Sequence, residues 1–203
     1  DLPGVRVVGL CDVDSAVLER EAKNFRDRGE PIDTYADVRR LLDSGTIDAI
    51  SIATPNHWHS LIAIWACQAG KDVYVAKPCC HNPVEGRRMI QAARKHQRIV
   101  QVGTQRRSAP DMAALAEYIQ QGKLGQVKFV RTWITSVRPS IGKEPVSSPP
   151  KNLDFNLWAG PGPENAYKTN LVHYHWHWRW DFGTGECGNN GIHVNFSFFS
   201  NDA

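Results

Sequence analysis

The sequence predicts an α/β protein whose first part forms a doubly wound parallel sheet. Short apolar runs alternate with segments of helical spacing, and the connections between them are short. The apolar runs are typical of strands that are buried on both faces. After residue 104 the sequence becomes rich in aromatic residues, so we expect two domains, residues 1–104 and residues 105–203.

Four strands are predicted in the first domain. They cover residues 5–11, 48–53, 72–77 and 98–102. Pro78 lacks an N–H and disfavours a helical backbone at Lys77, so the third strand ends at this lysine. Ligands bind at the carboxyl edge of open α/β sheets. Lys77 is therefore a candidate to stabilise negative charge on a bound oxygen, and the alternative is a solvated loop lysine.

Helices are predicted between and after these strands. They cover residues 15–28, 35–42, 57–69, 83–96 and 111–121. Asp14 is the expected N-cap of the first helix, and Asp33 or Thr34 that of the second. Pro83 suits the first turn of the fourth helix.

The second domain is expected to contain an open, mainly antiparallel sheet. Residues 127–136 alternate in the manner of a long strand, and residues 139–150 resemble an irregular loop. The remaining aromatic residues alternate with polar ones, which suits an antiparallel sheet beside a cleft.

Composition excludes several classes of function. The net charge of +3 is small and the basic residues are dispersed, which argues against a nucleic-acid partner. No apolar run reaches the ~18 residues of a membrane span. Five cysteines include no C-x-x-C pair, which argues against a disulfide framework and favours a reducing compartment.

Two turns that follow predicted strands are candidate cofactor contacts. Asp12 lies where a carboxylate accepts hydrogen bonds from an adenosine ribose, and the alternative is that it or Asp14 caps a helix. The turn from Thr54 to His59 could place Asn56 against a cofactor, and the alternative is again a helix cap.

Histidines mark the aromatic region. His173, His175 and His177 would share one face of a strand and could hold zinc, but an aromatic lining for sugars explains the segment without a metal, so no metal site is predicted. Residues 183–193 are rich in glycine and lack the ending of a phosphate loop. They are better explained as the start of a helix that places His193 in a cleft, where the histidine could act as a base.

Five segments in order resemble the Gfo/Idh/MocA family of glucose-fructose oxidoreductase and inositol dehydrogenase. The segments are residues 8–14, 53–59, 74–78, 101–107 and 176–193. The resemblance implies a Rossmann domain that binds NAD, with NADP less favoured because of Asp12, and a second domain that forms the substrate floor. It implies hydride transfer between a sugar, polyol or related hydroxy compound and the nicotinamide.

The resemblance also assigns roles to residues. Lys77 and His193 are the expected catalytic pair. The expected cofactor contacts are Asp12, Thr54, Pro55, Asn56, His59, Lys77 and Gln105. The expected substrate contacts are Arg106, Trp158, His177, Trp178 and Asn189. A homo-oligomer in the cytoplasm is expected, with the periplasm as the alternative.

The chain departs from the family pattern at several points. Ala76 replaces the glutamate before the lysine, and Asn189 stands where many members carry aspartate. Residues 194–203 lack the helical pattern of the family, and the first strand with its glycine-rich turn is expected to be absent. Two neighbouring strands would then lose a partner. The alternative to an enzyme is therefore an inactive fragment or a non-catalytic binding protein.

Overall fold

The computed structural model describes residues 3–131, 133, 137–163 and 166–193. The strands are β1 (Gly9–Cys11), β2 (Asp33–Tyr35), β3 (Ala49–Ile52), β4 (Asp72–Ala76) and β5 (Val100–Gly103). The helices are α1 (Ser15–Asp27), α2 (Val38–Leu42), α3 (Asn56–Gln68), α4 (Pro83–His96), α5 (Pro110–Gln120), α6 (Phe155–Ala159) and α7 (Gly185–Asn189). Three 3₁₀ turns cover Gln105–Ser108, His175–Trp178 and Gly191–His193.

All strand pairs in the described residues are parallel, which confirms the predicted α/β class. β1 pairs with β2, and β3, β4 and β5 form a second sheet in that order. Within the described residues β1 and β3 each pair on one side only. The carboxyl ends of β3 and β4 therefore lie side by side, with Ile52 opposite Val75.

The main core is built from the apolar sides of this sheet and its helices. Val73 and Val75 are 3% and 0% exposed, whereas Tyr74 between them is 45% exposed, because successive strand side chains point to opposite faces. Ile62, Ala63 and other apolar residues of α3 pack in the same core. This packing fixes the ends of β3 and β4 relative to the start of α3.

Helix ends follow the capping chemistry of the sequence. Asp14 accepts hydrogen bonds from the backbone N–H groups of Ala16 and Val17, which confirms it as the N-cap of α1. Asn82 does the same for α4, with Pro83 in the first turn. Gly70 follows α3 with φ of +76°, a left-handed conformation that glycine adopts without steric cost.

The predicted start of the second helix, at Tyr35 with Asp33 or Thr34 as its cap, was wrong. Residues Asp33–Tyr35 form β2, and α2 begins only at Val38. The physical reason is that Asp37 accepts the Arg39 N–H and acts as the cap, while the preceding residues pair with β1.

The antiparallel sheet predicted for the second domain is not found among the described residues. Residues 127–131 and 133 have no strand conformation, and residues 132 and 134–136 lie outside the described part. The segment from His175 to Trp178 is a 3₁₀ turn instead of a strand. Alternation alone does not make a strand, because the strand also needs a neighbour for its backbone hydrogen bonds. In the part of the second domain that is described, the regular elements are helices and turns.

A second core joins the aromatic region to the first domain. It contains Leu153, Phe155, Trp158, Tyr167, Leu171, Trp176 and Phe182. The ring of His57, at the start of α3, packs against Trp158 and Phe182 at centroid distances of 5.7 and 4.9 Å respectively. The side chains of His57 and Trp58 both reach the carbonyl oxygen of Trp158.

Candidate active site

A cleft of about 230 Å³ opens at the carboxyl ends of β3 and β4. Its lining comes from three places: the ends of both strands, the start of α3, and the aromatic and glycine-rich segments near the end of the described chain. The lining residues are Ala53, Thr54, Asn56, His59, Ala76, Lys77, Pro78, Trp176, His177 and Asn189. We call this space the β3–β4 cleft.

Lys77 is held in the cleft by a residue from the distant part of the chain. Its Nζ donates to Asn189 Oδ1 at 2.8 Å and also to the backbone oxygen of Asn189. Burial lowers the pKa of Lys77, and the charge of Glu186 opposes that effect. An ammonium group has three N–H donors. Two of these N–H groups donate to Asn189. In the described part of the chain the third N–H has no hydrogen-bond partner, so it can donate to a ligand oxygen.

His193 is buried close to this lysine. Its side chain is 8% exposed, and Nδ1 has no hydrogen-bond partner among the described residues. Burial lowers the pKa of His193, and the positive charges of Lys77 and Arg106 lower it further. A neutral imidazole with an unpaired ring nitrogen can accept a proton, which is the property expected of a base.

The turn after β3 contributes polar groups to the cleft. The Nδ2 of Asn56 donates to Thr184 Oγ1 at 2.9 Å, and Thr54 Oγ1 is buried without a partner among the described residues. Pro55 is the residue that precedes α3, which begins without a side-chain cap. Neither Thr54 nor Asn56 therefore has the capping role that was their alternative explanation.

His59 holds two turns together at the floor of the cleft. Its side chain is 1% exposed, with Nδ1 2.6 Å from the Pro78 carbonyl oxygen and Nε2 2.7 Å from that of Thr54. Burial lowers the pKa of His59, although both carbonyls oppose that shift. A neutral ring has one N–H and can donate to only one of the two oxygens at a time. The ring links the ends of β3 and β4.

Seven of the predicted site residues are not among those that line the cleft: Asp12, Pro55, Gln105, Arg106, Trp158, Trp178 and His193. Asp12 follows β1, and its Oδ1 accepts the Asp14 N–H at 2.8 Å. Burial raises the pKa of Asp12, while the Asp14 hydrogen bond opposes the change. Gln105 and Arg106 are exposed in the 3₁₀ turn that follows β5. The charge of Arg106 nevertheless acts on His193.

The predicted aromatic contacts separate into two groups. His177 lines the cleft and stacks on Trp176, with ring centroids 3.6 Å apart. Trp178 lies under the guanidinium of Arg138 at 5.0 Å. Trp158, by contrast, is 5% exposed, belongs to the second core and is not among the residues that line the cleft.

The three alternating histidines do not converge. His173 pairs with Asp14 at 3.0 Å, whereas His177 Nδ1 lies 2.6 Å from the Tyr174 carbonyl oxygen. Within residues 3–131, 133, 137–163 and 166–193, no three His, Cys, Asp or Glu side chains are placed to hold a metal ion. The zinc alternative needed a strand here, and that premise was wrong because the segment turns every three residues.

Sequence reasoning missed two residues that shape the site. Thr184 accepts a hydrogen bond from Asn56, and Glu186 lies close enough to influence Lys77. Trp176, in the segment that was expected to form an aromatic lining, does line the cleft. The only sequence signal was that the glycine-rich segment contained polar residues between its glycines, which did not indicate their partners.

Two family models match the chain in succession. Residues 1–104 match an oxidoreductase family with an NAD-binding Rossmann fold, GFO_IDH_MocA. The chain belongs to the Gfo/Idh/MocA oxidoreductase family. Residues 128–196 match the C-terminal alpha/beta domain of the same family. The family resemblance predicted from the five motifs is thereby confirmed.

Individual relatives are named dehydrogenases. Levoglucosan dehydrogenase of Pseudarthrobacter phenanthrenivorans is 34% identical over 47% of this chain and 25% of the relative. Inositol 2-dehydrogenase of Salmonella paratyphi B is 30% identical over 63% of this chain and 37% of the relative. A structure of levoglucosan dehydrogenase in complex with NADH and levoglucosan has 28% identity and a TM-score of 0.51, covering 59% of this chain and 31% of that one.

The chain therefore spans about a quarter to two fifths of the length of these relatives. The cofactor of the family is NAD, and NADH occupies the solved relative. The residues of the β3–β4 cleft fit a nicotinamide cofactor. Among the described residues, Thr54 Oγ1 is buried there without a hydrogen-bond partner, and Lys77 Nζ has one N–H group that does not donate to Asn189. Among the described residues, no helix is both long and apolar enough to cross a membrane.

Proposed function

We propose that the whole protein is an NAD-dependent oxidoreductase that transfers a hydride between a carbohydrate-like hydroxy compound and the nicotinamide. The observation that supports it most directly is the position of Lys77, at the carboxyl end of β4 and bound to Asn189 from the glycine-rich segment. The named relatives are dehydrogenases, which favours this function over an inactive fragment or a non-catalytic binding protein.

In this proposal Lys77 binds the oxygen of the reacting carbon. Two of its N–H groups are directed to Asn189, so its position is fixed before substrate arrives. The remaining N–H donates to the substrate oxygen and stabilises the negative charge that develops there during oxidation. Asn189 thus acts as a positioning residue.

His193 accepts the proton of the substrate hydroxyl in the same step. Its lowered pKa keeps the imidazole neutral near pH 7, and its Nδ1 is available as an acceptor. When bound, NAD supplies the acceptor for the hydride that leaves the substrate carbon. The proton then stays on His193 until it is released to solvent.

Polar groups from both strand ends position the cofactor in this proposal. Thr54 and Asn56 supply a hydroxyl and an amide at the start of α3. Asp12 would bind the ribose hydroxyls at the carboxyl end of β1, and its carboxylate would repel a 2′-phosphate, which favours NAD over NADP. Gln105, on the 3₁₀ turn after β5, would contribute from the next strand.

The substrate side of the cleft carries the stacked pair of Trp176 and His177. Aromatic faces combined with a few hydrogen-bonding groups suit the apolar and polar sides of a sugar or polyol ring. The relatives named for levoglucosan and inositol fit this substrate class. Arg106 and Trp178 remain proposed contacts to the same substrate.

The organisation of the whole protein is also a proposal. We place the domain boundary after residue 104, where the first family match ends. A homo-oligomer, which the family resemblance implies, is part of the same proposal. Light scattering of the purified protein would test the oligomer. Cell fractionation would test a cytoplasmic location against a periplasmic one.

The experiment that tests the function replaces Lys77 in the whole protein. Lys77→Met should lower kcat with NAD and a panel of sugars and polyols by about 10²-fold or more, because one donor to the developing charge is lost. Binding of NADH, measured by fluorescence titration, should change by less than about threefold. Lys95→Met, on the exposed side of α4, is the matched control and should leave both quantities unchanged.

Two outcomes would contradict the proposal. One is full turnover of the Lys77→Met protein with its preferred substrate. The other is the absence of NADH binding by the unmodified whole protein.

A further inference from the structure

Two thiols lie side by side in the segment that follows the proposed catalytic lysine. Cys79 and Cys80 connect β4 to α4, and their Sγ atoms are 3.8 Å apart. Both side chains are half-buried. The other three cysteines lie elsewhere: Cys67 is buried in α3, and Cys11 and Cys187 are exposed. Because Cys79 and Cys80 are adjacent, they do not form a C-x-x-C motif.

The two thiols differ in acidity because of their contact. The neighbouring Cys80 thiol lowers the pKa of Cys79 to about 7, although burial opposes the change. The same contact raises the pKa of Cys80, together with burial. The lowered pKa increases the thiolate fraction of Cys79, and the thiolate is the form that attacks a disulfide.

The surrounding structure fixes the segment that carries the pair. The Cys79 carbonyl oxygen accepts from Ser60 Oγ at 3.3 Å, and Cys80 Sγ lies 3.1 Å from the position that a Cβ would take on Gly86. Further along, the His81 N–H donates to Glu85 Oε2 at 3.0 Å. A side chain at position 86 would push the thiol of Cys80 away, so this glycine permits the close approach.

We propose that Cys79 and Cys80 form a redox-modification site that exchanges with low-molecular-weight disulfides of the glutathione class. The thiolate of Cys79 attacks one sulfur of the external disulfide, breaks its S–S bond and releases one thiolate, which takes up a proton. Cys80 loses its proton to solvent, attacks Cys79 sulfur, and releases the second thiol. Two electrons pass from the protein dithiol to the external disulfide, and a Cys79–Cys80 disulfide remains.

A disulfide between adjacent residues is strained and therefore easily reduced. Ordinary disulfides join Cα atoms about 4.4–6.8 Å apart, whereas adjacent Cα atoms are only about 3.8 Å apart. Strained disulfides have higher reduction potentials and are the labile, regulatory ones. Because Lys77 lies two residues before the pair, the modification would act on the segment that carries the proposed catalytic amine. The exchange chemistry itself does not depend on the proposed function.

The test follows the thiols by mass spectrometry in the 203-residue chain. The chain is equilibrated with glutathione buffers of increasing oxidised fraction, alkylated and digested with trypsin. The peptide of residues 72–87 contains these two cysteines and no other, because trypsin does not cleave before Pro78. We expect this peptide to lose two hydrogens as the buffer becomes oxidising, and to recover them on return to reduced glutathione.

Single substitutions separate the role of Cys79, which attacks the external disulfide, from that of Cys80, which closes the internal disulfide. Cys80→Ser should stop at a glutathione adduct on Cys79, and Cys79→Ser should slow the reaction of position 80 by about tenfold. Cys187→Ser is the matched control, since it removes an exposed thiol and should leave the peptide of residues 72–87 unchanged. In the unmodified chain, pulses of iodoacetamide at pH 7 should label Cys79 about tenfold faster than Cys80, which gives a readout independent of variant folding.

The proposal would be overturned by a stable glutathione adduct without ring closure in the unmodified chain. Equal labelling rates of Cys79 and Cys80 would overturn it as well.

Discussion

His57 is expected to make the stability of the protein dependent on pH. The ring is 5% exposed between the first domain and the second core, and its Nε2 lies 3.1 Å from the Trp158 carbonyl oxygen. Its Nδ1 has no partner among the described residues. Protonation would therefore place a charge and an unpaired N–H next to the rings of Trp158 and Phe182.

The magnitude follows from the shift in pKa. Burial lowers the pKa of His57 from an ordinary 6.5 to about 4, and the charge of His81 acts in the same direction. A group whose folded pKa is lowered in this way binds its proton more readily in the unfolded chain. Its stabilising contribution is thus complete above pH 6.5 and is lost as the pH falls towards 4. At about 1.4 kcal/mol per pH unit, the loss approaches ~3 kcal/mol, of which ~2 kcal/mol is lost by pH 5.

The assay compares unfolding by urea at pH 7.5 and pH 5.0, followed by tryptophan fluorescence. His57→Gln retains a donor for the Trp158 carbonyl oxygen but does not titrate. The free energy of unfolding of the unmodified chain should fall by about 2 kcal/mol more than that of His57→Gln between these pH values. Carboxylates and the other histidines contribute equally to the pH dependence of unfolding in both proteins. Their contribution therefore cancels when the two changes in unfolding free energy are subtracted.

A matched control uses an exposed histidine. His175→Gln should show the same pH dependence as the unmodified chain, because His175 is exposed. If the unmodified chain and His57→Gln lose stability in parallel on acidification, His57 is not buried as a neutral ring and the reasoning fails.

Two further predictions concern the contacts between the first domain and the second core. Asp14→Ala should lower the free energy of unfolding by about 1–3 kcal/mol. The substitution removes the N-cap of α1 and the hydrogen bond that Asn152 donates to Asp14 at 2.7 Å. Asp14→Asn should retain most of the capping interaction. Phe182→Ala should cost about 3–5 kcal/mol in the same urea assay, since the ring is 0% exposed, and Phe182→Leu should cost clearly less. An Asp14→Ala protein as stable as the parent, or equal losses for Phe182→Ala and Phe182→Leu, would contradict these expectations.

Local sequence patterns predicted most of the first domain. Apolar runs and glycine or proline stops located β3, β4, α3 and α4 to within a few residues, because strand and helix periodicities are properties of neighbouring residues. They also placed Lys77 at a strand end. The short strand β2 was missed, because three residues carry too little periodicity and its pairing with β1 decides its conformation.

The second domain was predicted less well for a related reason. An alternating segment such as residues 127–131 becomes a strand only beside a partner, and the described residues provide none. The aromatic segment around Trp176 alternates equally well, yet it forms a 3₁₀ turn whose indole packs into the second core. Burial of large rings decided that conformation.

The sequence by itself determined the family, the parallel sheet and the lysine that ends β4. Only the tertiary structure decided that Asn189 holds this lysine, that His193 lies buried within reach of its charge, and that Trp158 belongs to a core instead of the cleft. The reason is physical: a strand end is specified by adjacent residues, whereas a contact across 112 positions depends on how whole elements pack.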